Sequence, residues 1–202
     1  MILLKSLLNE IEQGGTAMHN KTPAPAIVAL YNSGKLGNVG DTILDYGAGH
    51  GRNADFLRKA GLKVYAYDPY NGTSVNGYNG ISNILPTAKF KIGFTCFVLN
   101  VLNKKDEAVV ISKVDSLCNK AYHIVRNNDI IAMIQNALLK KNPLIVNSFK
   151  KFGGNIDSYT IENIWAFAKE GTETSKGFQR IPTLEDRGFS LISKKDYKIY
   201  TK

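Results

Sequence analysis

No apolar run in this 202-residue chain approaches the roughly 20 residues needed to cross a bilayer as a helix, so no membrane span is expected. The N-terminal stretch MILLKSLLNEIEQ starts apolar but is broken by Lys5 and ends in Glu10 and Glu12. It lacks a basic leader and a small-residue cleavage site, and its apolar positions 3, 4, 7, 8 and 11 fit one face of a helix rather than a signal peptide. Cysteine is scarce. Cys96 and Cys118 are too few for a disulfide framework and wrongly spaced for zinc. Each sits in an apolar pattern, which predicts buried free thiols, a cytoplasmic setting and no metal site. Internal repeats and low-complexity tracts are missing. Acid is in deficit: 17 Asp and Glu face 26 Lys and Arg, a formal net charge of +9. Such a surface suits a polyanion, nucleic acid being the commonest, but equally a solvated lysine-rich surface.

What remains is the composition of one globular domain, 44% hydrophobic and 21% charged. The pattern predicts a helix over 1–13 stopped by Gly14-Gly15, and a second from Pro23 and Pro25 to Ser33 stopped by Gly34. Residues 1–36 would form a helical cap. A strand over 42–46, a helix over 51–60 and a strand over 63–68 follow. Residues 69–86, rich in Asn, Gly and Ser, read as loop. Residues 94–101 are a nearly continuous apolar run, as in a central parallel strand covered on both faces. A helix over 104–118 and a strand over 120–126 complete the regular alternation. Beyond it, 129–140 reads as helix, 144–149 as strand, 158–168 as ambiguous, 171–180 as a polar loop and 182–187 as a short helix. Phe189–Ser193 and Tyr197–Thr201 form a hairpin around Lys194-Lys195-Asp196. The fold expected is a single α/β domain over 1–202, doubly wound and Rossmann-like, with 141–180 as a variable substrate-side insertion.

The segment Ile43-Leu44-Asp45-Tyr46-Gly47-Ala48-Gly49-His50-Gly51-Arg52-Asn53 carries the most chemistry. An apolar strand ends in an acid, glycine occupies every second position, and a helix begins. A second apolar run closes on another acid, Asp68, in Val64-Tyr65-Ala66-Tyr67-Asp68. Strand, glycine turn, helix, strand, acid is the logic of a nucleotide-binding βαβ unit: the glycines admit a ligand to the backbone and the terminal acid accepts hydrogen bonds from ribose hydroxyls. A P-loop needs a Lys-Ser/Thr pair where this chain has Arg52-Asn53. The dinucleotide GxGxxG spacing fails as well, since the glycines stand at 47, 49 and 51.

Asp45, Gly47, Gly49, Gly51 and Asp68 resemble motif I of the class I S-adenosylmethionine-dependent methyltransferases. The resemblance implies a seven-stranded, mostly parallel sheet that ends in a reversed antiparallel hairpin. It implies that the turn Gly47-Ala48-Gly49 packs against the cofactor, that Asp68, followed by Pro69, binds the ribose, and that Asp45 lies near the cofactor's amino-acid end. More of the chain resembles methyltransferases of bacterial defence islands associated with DNA phosphorothioation, and such small chains also occur in phages. Thr16-Ala17 with Lys21-Thr22-Pro23-Ala24-Pro25 resembles their leader; Asp45-Tyr46-Gly47-Ala48-Gly49-His50-Gly51 resembles their DYGCGxG, with Ala48 for cysteine; Tyr67-Asp68-Pro69-Tyr70, Val98-Leu99-Asn100-Val101 and Arg126 match further positions. Thr172 to Gln179 resembles their late loop, one residue tighter.

In open α/β sheets ligands bind beyond the strand ends, which nominates the acceptor residues. Asn100, a polar amide in an apolar run, and Arg126, at the end of a strand and able to bind an anion bidentately, are the candidate catalytic residues, Asn100 also flanking the cofactor. Lys21, Thr22, Thr174, Lys176 and Gln179 are candidate substrate contacts, with Thr172 in the same loop. His50 lies in the glycine turn, His19 and His123 read as ordinary surface or core residues, and Trp165 reads as core. The two best-known DNA base chemistries lack their signatures: no Pro-Pro-aromatic motif follows Asn100, and neither cysteine follows a proline. The function expected is methyl transfer to a nucleic-acid-related acceptor, with a small-molecule O- or N-methyltransferase and a non-catalytic interaction protein as alternatives.

Overall fold

The computed structural model describes residues 21–193 and 197–202. The expected helix over 1–13 and the hairpin turn at 194–196 lie outside the described residues. The elements run α1 (Pro25–Asn32), β1 (Thr42–Tyr46), α2 (Arg52–Lys59), β2 (Lys63–Tyr67), β3 (Phe90–Cys96), a 3-10 turn (Leu99–Val101), α3 (Lys104–Leu117), β4 (Cys118–Arg126), α4 (Asn128–Leu139), α5 (Pro143–Lys151), α6 (Ile161–Glu170), β5 (Thr172–Thr174), β6 (Gly177–Gln179), a second 3-10 turn (Glu185–Arg187), β7 (Ser190–Ser193) and β8 (Tyr197–Thr201).

Six strands form the main sheet in the order β2-β1-β3-β4-β8-β7; the first four are parallel to one another, and β8 runs antiparallel to both its neighbours, β4 and β7. The seven strands expected are therefore six. The missing strand would lie beyond β2, where residues 68–89 form a hydrogen-bonded loop instead. Its Asn- and Gly-rich sequence favours turns, and its backbone pairs irregularly with β2: Ala66 N–H donates to Gly77 O (2.8 Å), Ser82 N–H to Ala66 O (2.9 Å) and Asp68 N–H to Ser82 O (2.9 Å). Arg58 of α2 fastens this loop through the carbonyls of Gly77 and Gly80 and also bonds Val64 O.

One sheet face packs Ile43, Val64, Ile92, Phe94 and Ile124 against Ile27 and Leu30 of α1 and Leu57 of α2. On the other face Leu44, Phe90 and Ala121 meet Val110, Val114 and Leu117 of α3. Leu184 and Phe189 cover Val125 and Tyr200 there. A second apolar cluster stands apart from the sheet. Ile130, Ile134 and Leu138 of α4, Ile145 and Phe149 of α5, and Ile164 and Phe167 of α6 pack on one another, with Trp165 partly buried beside them.

Four local expectations change. The apolar run at 94–101 is not one strand: β3 starts earlier, at Phe90, and ends at Cys96, because Phe97 takes a positive φ of 67° and the chain then coils into a 3-10 turn. Residues 144–149 are helical, since Asn142 caps α5 by accepting from the N–H groups of Leu144 and Ile145 and Pro143 occupies its first turn. The ambiguous 158–168 carries most of α6, which is started by a capping box of Thr160 and Asn163 and runs on to Glu170. Residues 172–179, expected as loop, pair as the small β5–β6 hairpin.

Candidate active site

The glycine turn lies where β1 and β2 end side by side, with Tyr46 paired to Tyr67. Gly47 and Ala48 donate their N–H groups to Tyr67 O at 2.8 and 2.9 Å. Gly47 has φ +77°, and a Cβ there would lie 2.4 Å from Val98 Cγ2, so backbone conformation and space both demand glycine. Gly49, at φ +56°, directs its N–H to Asp68 Oδ2 at 2.8 Å. The turn thus grips the acid that closes the neighbouring strand.

Asp68 is 6% exposed. Its Oδ1 accepts from Tyr70 N–H (3.0 Å), Asn71 N–H (2.7 Å) and the Asn71 side-chain amide (3.1 Å). Oδ2 accepts only from Gly49 among the described residues and so keeps capacity for another donor. Asp45 lies beneath the turn, fully buried, and neither of its carboxylate oxygens has a hydrogen-bond partner among the described residues. Burial first, and the Asp68 charge second, push its pKa up to about 7; Arg58, the Ala54 amide and Arg52 nearby oppose the shift. The thiol of Cys96 is pushed up to about 12, by burial and then by Asp45. Cys96 is half-buried and Cys118 buried; both are free.

Over the strand ends opens a cleft of about 600 Å³. Gly47, Ala48, Gly49, Asp68 and Pro69 line it, as do Arg126 and Gln179 on the side of β4 and β6. Its apolar lining includes the rings of Tyr46, Tyr67 and Tyr70 and the side chains of Val101, Val109 and Val110. The rings of Tyr46 and Tyr67 are 4.9 Å apart, and burial pushes the Tyr46 hydroxyl up to about 12, with Tyr67 and Tyr70 adding to the shift.

Asn100 lies outside the cleft lining. It is fully buried, and its amide is spent on the backbone: Oδ1 accepts from Arg126 N–H (2.7 Å), and Nδ2 donates to Arg126 O (3.2 Å) and Arg180 O (2.8 Å). Arg180 N–H returns a bond to Asn100 O at 2.8 Å. Asn100 therefore joins the segments that carry Arg126 and Gln179. Lys21 and Thr22 are exposed and away from the lining, but Thr22 O accepts from Arg52, which lines the cleft (3.2 Å). Asn53 Oδ1 accepts from Ala24 N–H (2.9 Å), so the leader is tied to the start of α2. Thr174 and Lys176 are also outside the lining: the Thr174 hydroxyl donates to Gly177 O (2.7 Å) and accepts from Lys176 N–H (3.1 Å), closing the hairpin turn. His123 is buried, its Nδ1 3.0 Å from Thr95 Oγ1, and burial pushes its pKa down to about 4.

Sequence reasoning missed the tyrosine wall and the α3 wall. The tyrosines that close β1 and β2 were a signal, since parallel strands in register place their last residues side by side. It also missed the buried Glu107, whose carboxylate meets Arg180 at 3.1 Å and Arg187 at 3.4 Å. Among the described residues no cluster of three His, Cys, Asp or Glu side chains could hold a metal, and no helix is long and apolar enough to cross a membrane.

No family model matches the chain, and no curated protein matches its sequence. Solved structures do match its fold. Magnesium protoporphyrin IX methyltransferase from Synechocystis, with bound S-adenosylhomocysteine, is 16% identical with a TM-score of 0.50, over 87% of this chain and 78% of that one. The 1,6-didemethyltoxoflavin-N1-methyltransferase of Burkholderia thailandensis, with its substrate and S-adenosylhomocysteine, is 13% identical with a TM-score of 0.53, over 88% and 75%. A Rhodobacter sphaeroides protein described as a zinc-dependent alcohol dehydrogenase is 12% identical with a TM-score of 0.53, over 89% of both chains. The chain has the mixed α/β fold, with a mostly parallel sheet, of the two methyltransferases.

Proposed function

We propose that this protein is an S-adenosylmethionine-dependent methyltransferase whose acceptor is a small molecule. The observation that carries the reading is Asp68, gripped by Gly49 at the mouth of the cleft and left with one carboxylate oxygen able to take a further donor. A ribose hydroxyl fits that place. Gly47, where a side chain would strike Val98, supplies the close backbone approach. The buried, unpartnered carboxylate of Asp45 suits a cationic ligand above it, whose charge would draw its raised pKa back down. The three observations agree with a sulfonium cofactor that bears an amino-acid end.

When bound, S-adenosylmethionine supplies an activated methyl group for in-line displacement by a nucleophile. The chain's own work is positioning: the tyrosine and valine side chains exclude water and confine the acceptor, and Arg126 and Gln179 line the same cleft. A lined cavity of about 600 Å³ is within the usual range, roughly 300–1,000 Å³, of small-molecule sites. The two methyltransferases of similar fold are named for small cyclic acceptors, magnesium protoporphyrin IX and 1,6-didemethyltoxoflavin, which supports the same choice.

A nucleic-acid acceptor is the second reading, favoured by the net charge of +9. The finer likeness to phosphorothioation-associated and phage enzymes belongs with it and rests on the sequence motifs alone. Transfer of a labelled methyl group into separated metabolite, DNA, RNA and protein pools tests both. Label in the metabolite pool is expected. Label in DNA or RNA would favour the second reading, and absence of S-adenosylhomocysteine binding by calorimetry would overturn both.

A further inference from the structure

We propose that Arg126 and Gln179 form the acceptor subsite, and that the acceptor carries a carboxylate next to an N–H or O–H donor. The proposal rests on the reading of the cleft as a methyltransferase site. Gln179 ends β6, is 5% exposed and lines the cleft, yet its Oε1 is buried and has no donor among the described residues. A buried amide oxygen without a donor is costly, and a ligand N–H or O–H removes that cost. Arg126 ends β4 and lines the same cleft. Its Nε donates to Asp129 in the first turn of α4, which sets the plane of the guanidinium, while Nη1 and Nη2 have no partner among the described residues. Two parallel N–H groups on that edge match the two oxygens of a carboxylate.

The choice of a monoanion follows from Asp129. Its carboxylate, half-exposed beside the guanidinium, already neutralises part of the charge and would repel a dianionic phosphate. The two side chains are brought to one corner by Asn100, which bonds the backbone of Arg126 on one side and of Arg180, next to Gln179, on the other. One buried residue thereby sets the spacing of the groups that would read the acceptor.

The experiment titrates the full-length protein, with and without S-adenosylhomocysteine, with matched probes followed by NMR. The set consists of hydroxy- and amino-substituted carboxylates, 4-hydroxybenzoate and its aliphatic counterparts among them, each beside its carboxamide, with phenyl phosphate as the dianion. The expected result is at least one carboxylate that binds about tenfold or more tightly than its carboxamide, and phenyl phosphate weaker than either. Arg126→Met should erase the preference, Arg126→Lys should keep only part of it because the fork is lost, and Gln179→Glu should weaken the carboxylate specifically. Thermal unfolding confirms that each variant is folded. No binding by any carboxylate, equal binding of acids and amides, or an unchanged preference in folded Arg126→Met overturns the proposal. Calorimetry with S-adenosylhomocysteine separates the two levels: cofactor binding without a carboxylate preference sinks only the acceptor subsite, and failure of wild type to bind it sinks the methyltransferase reading.

Discussion

The amide of Asn100 and the backbone of Arg126 are joined in both directions, Oδ1 to the Arg126 N–H at 2.7 Å and Nδ2 to the Arg126 carbonyl at 3.2 Å. This pairing lets a short 3-10 turn imitate one more rung of sheet at the end of β4. Asn100→Ala leaves buried backbone groups of Arg126 and Arg180 without partners, at about 1–3 kcal/mol per stranded group. A loss of about 3 kcal/mol, or a Tm lower by about 6–12 °C, is expected. Cofactor affinity should stay within about twofold while turnover falls. Unfolding at the wild-type temperature would show that the clamp contributes nothing.

Asp68→Ala removes the partner of Gly49, Tyr70 and Asn71 together with the proposed ribose acceptor. Loss of one hydrogen bond to a charged group predicts cofactor affinity lower by about ten- to a hundredfold, read by calorimetry on folded protein. Unchanged affinity would remove Asp68 from the site.

Gly47→Ala puts a Cβ against Val98 at a positive φ. The expected cost is about 1–3 kcal/mol, with weaker cofactor binding. Adding Val98→Ala should recover part of the stability and not all, since it relieves the collision and leaves the backbone strain. Full recovery in urea titration would mean that strain plays no part.

Two buried groups make stability depend on pH in opposite senses. Asp45, raised to about 7, is protonated in the folded state between about pH 4 and 7 and ionised in the unfolded state, so its contribution turns unfavourable as pH rises through that window. His123, lowered to about 4, stays neutral when folded and takes a proton when unfolded, so its contribution is lost as pH falls from about 6.5 to 4. Asp45→Asn should therefore stabilise above pH 7, by up to about 4 kcal/mol, and change little near pH 4. His123 is one contributor to the loss on the acid side, together with carboxylates held below their ordinary range such as Asp41 and Glu185. Parallel stability profiles for wild type and variant would contradict the raised pKa of Asp45.

The glycine turn and its two strands are legible in the sequence because their contacts are local. Asp45, the glycines and Asp68 are close in sequence, and β1 was read with the same limits that the structure shows. The other end of the cleft, with Arg126 and Gln179, depends on contacts between distant segments. Asn100 looked like a ligand contact because a polar residue in an apolar run demands a partner, and sequence cannot say that the partners are Arg126 and Arg180. Leu144–Phe149 read as strand because it is short and apolar, whereas the start signal of Asn142-Pro143 decides for helix. Phe97 hid the end of β3, since nothing in an apolar run announces a residue of positive φ.

The loop over 68–89 occupies the place of a seventh strand, and this ties two surfaces that most sheets keep separate. Its first residues hold Asp68 at the cleft, and its later ones pair with the outer side of β2. Whatever steadies Tyr70 and Asn71 should also slow the opening of the bonds from Ala66 to Gly77 and from Asp68 to Ser82. Those two amides then serve as a built-in gauge of occupancy: their hydrogen exchange would report a filled cleft from the rim of the molecule, before any acceptor is known.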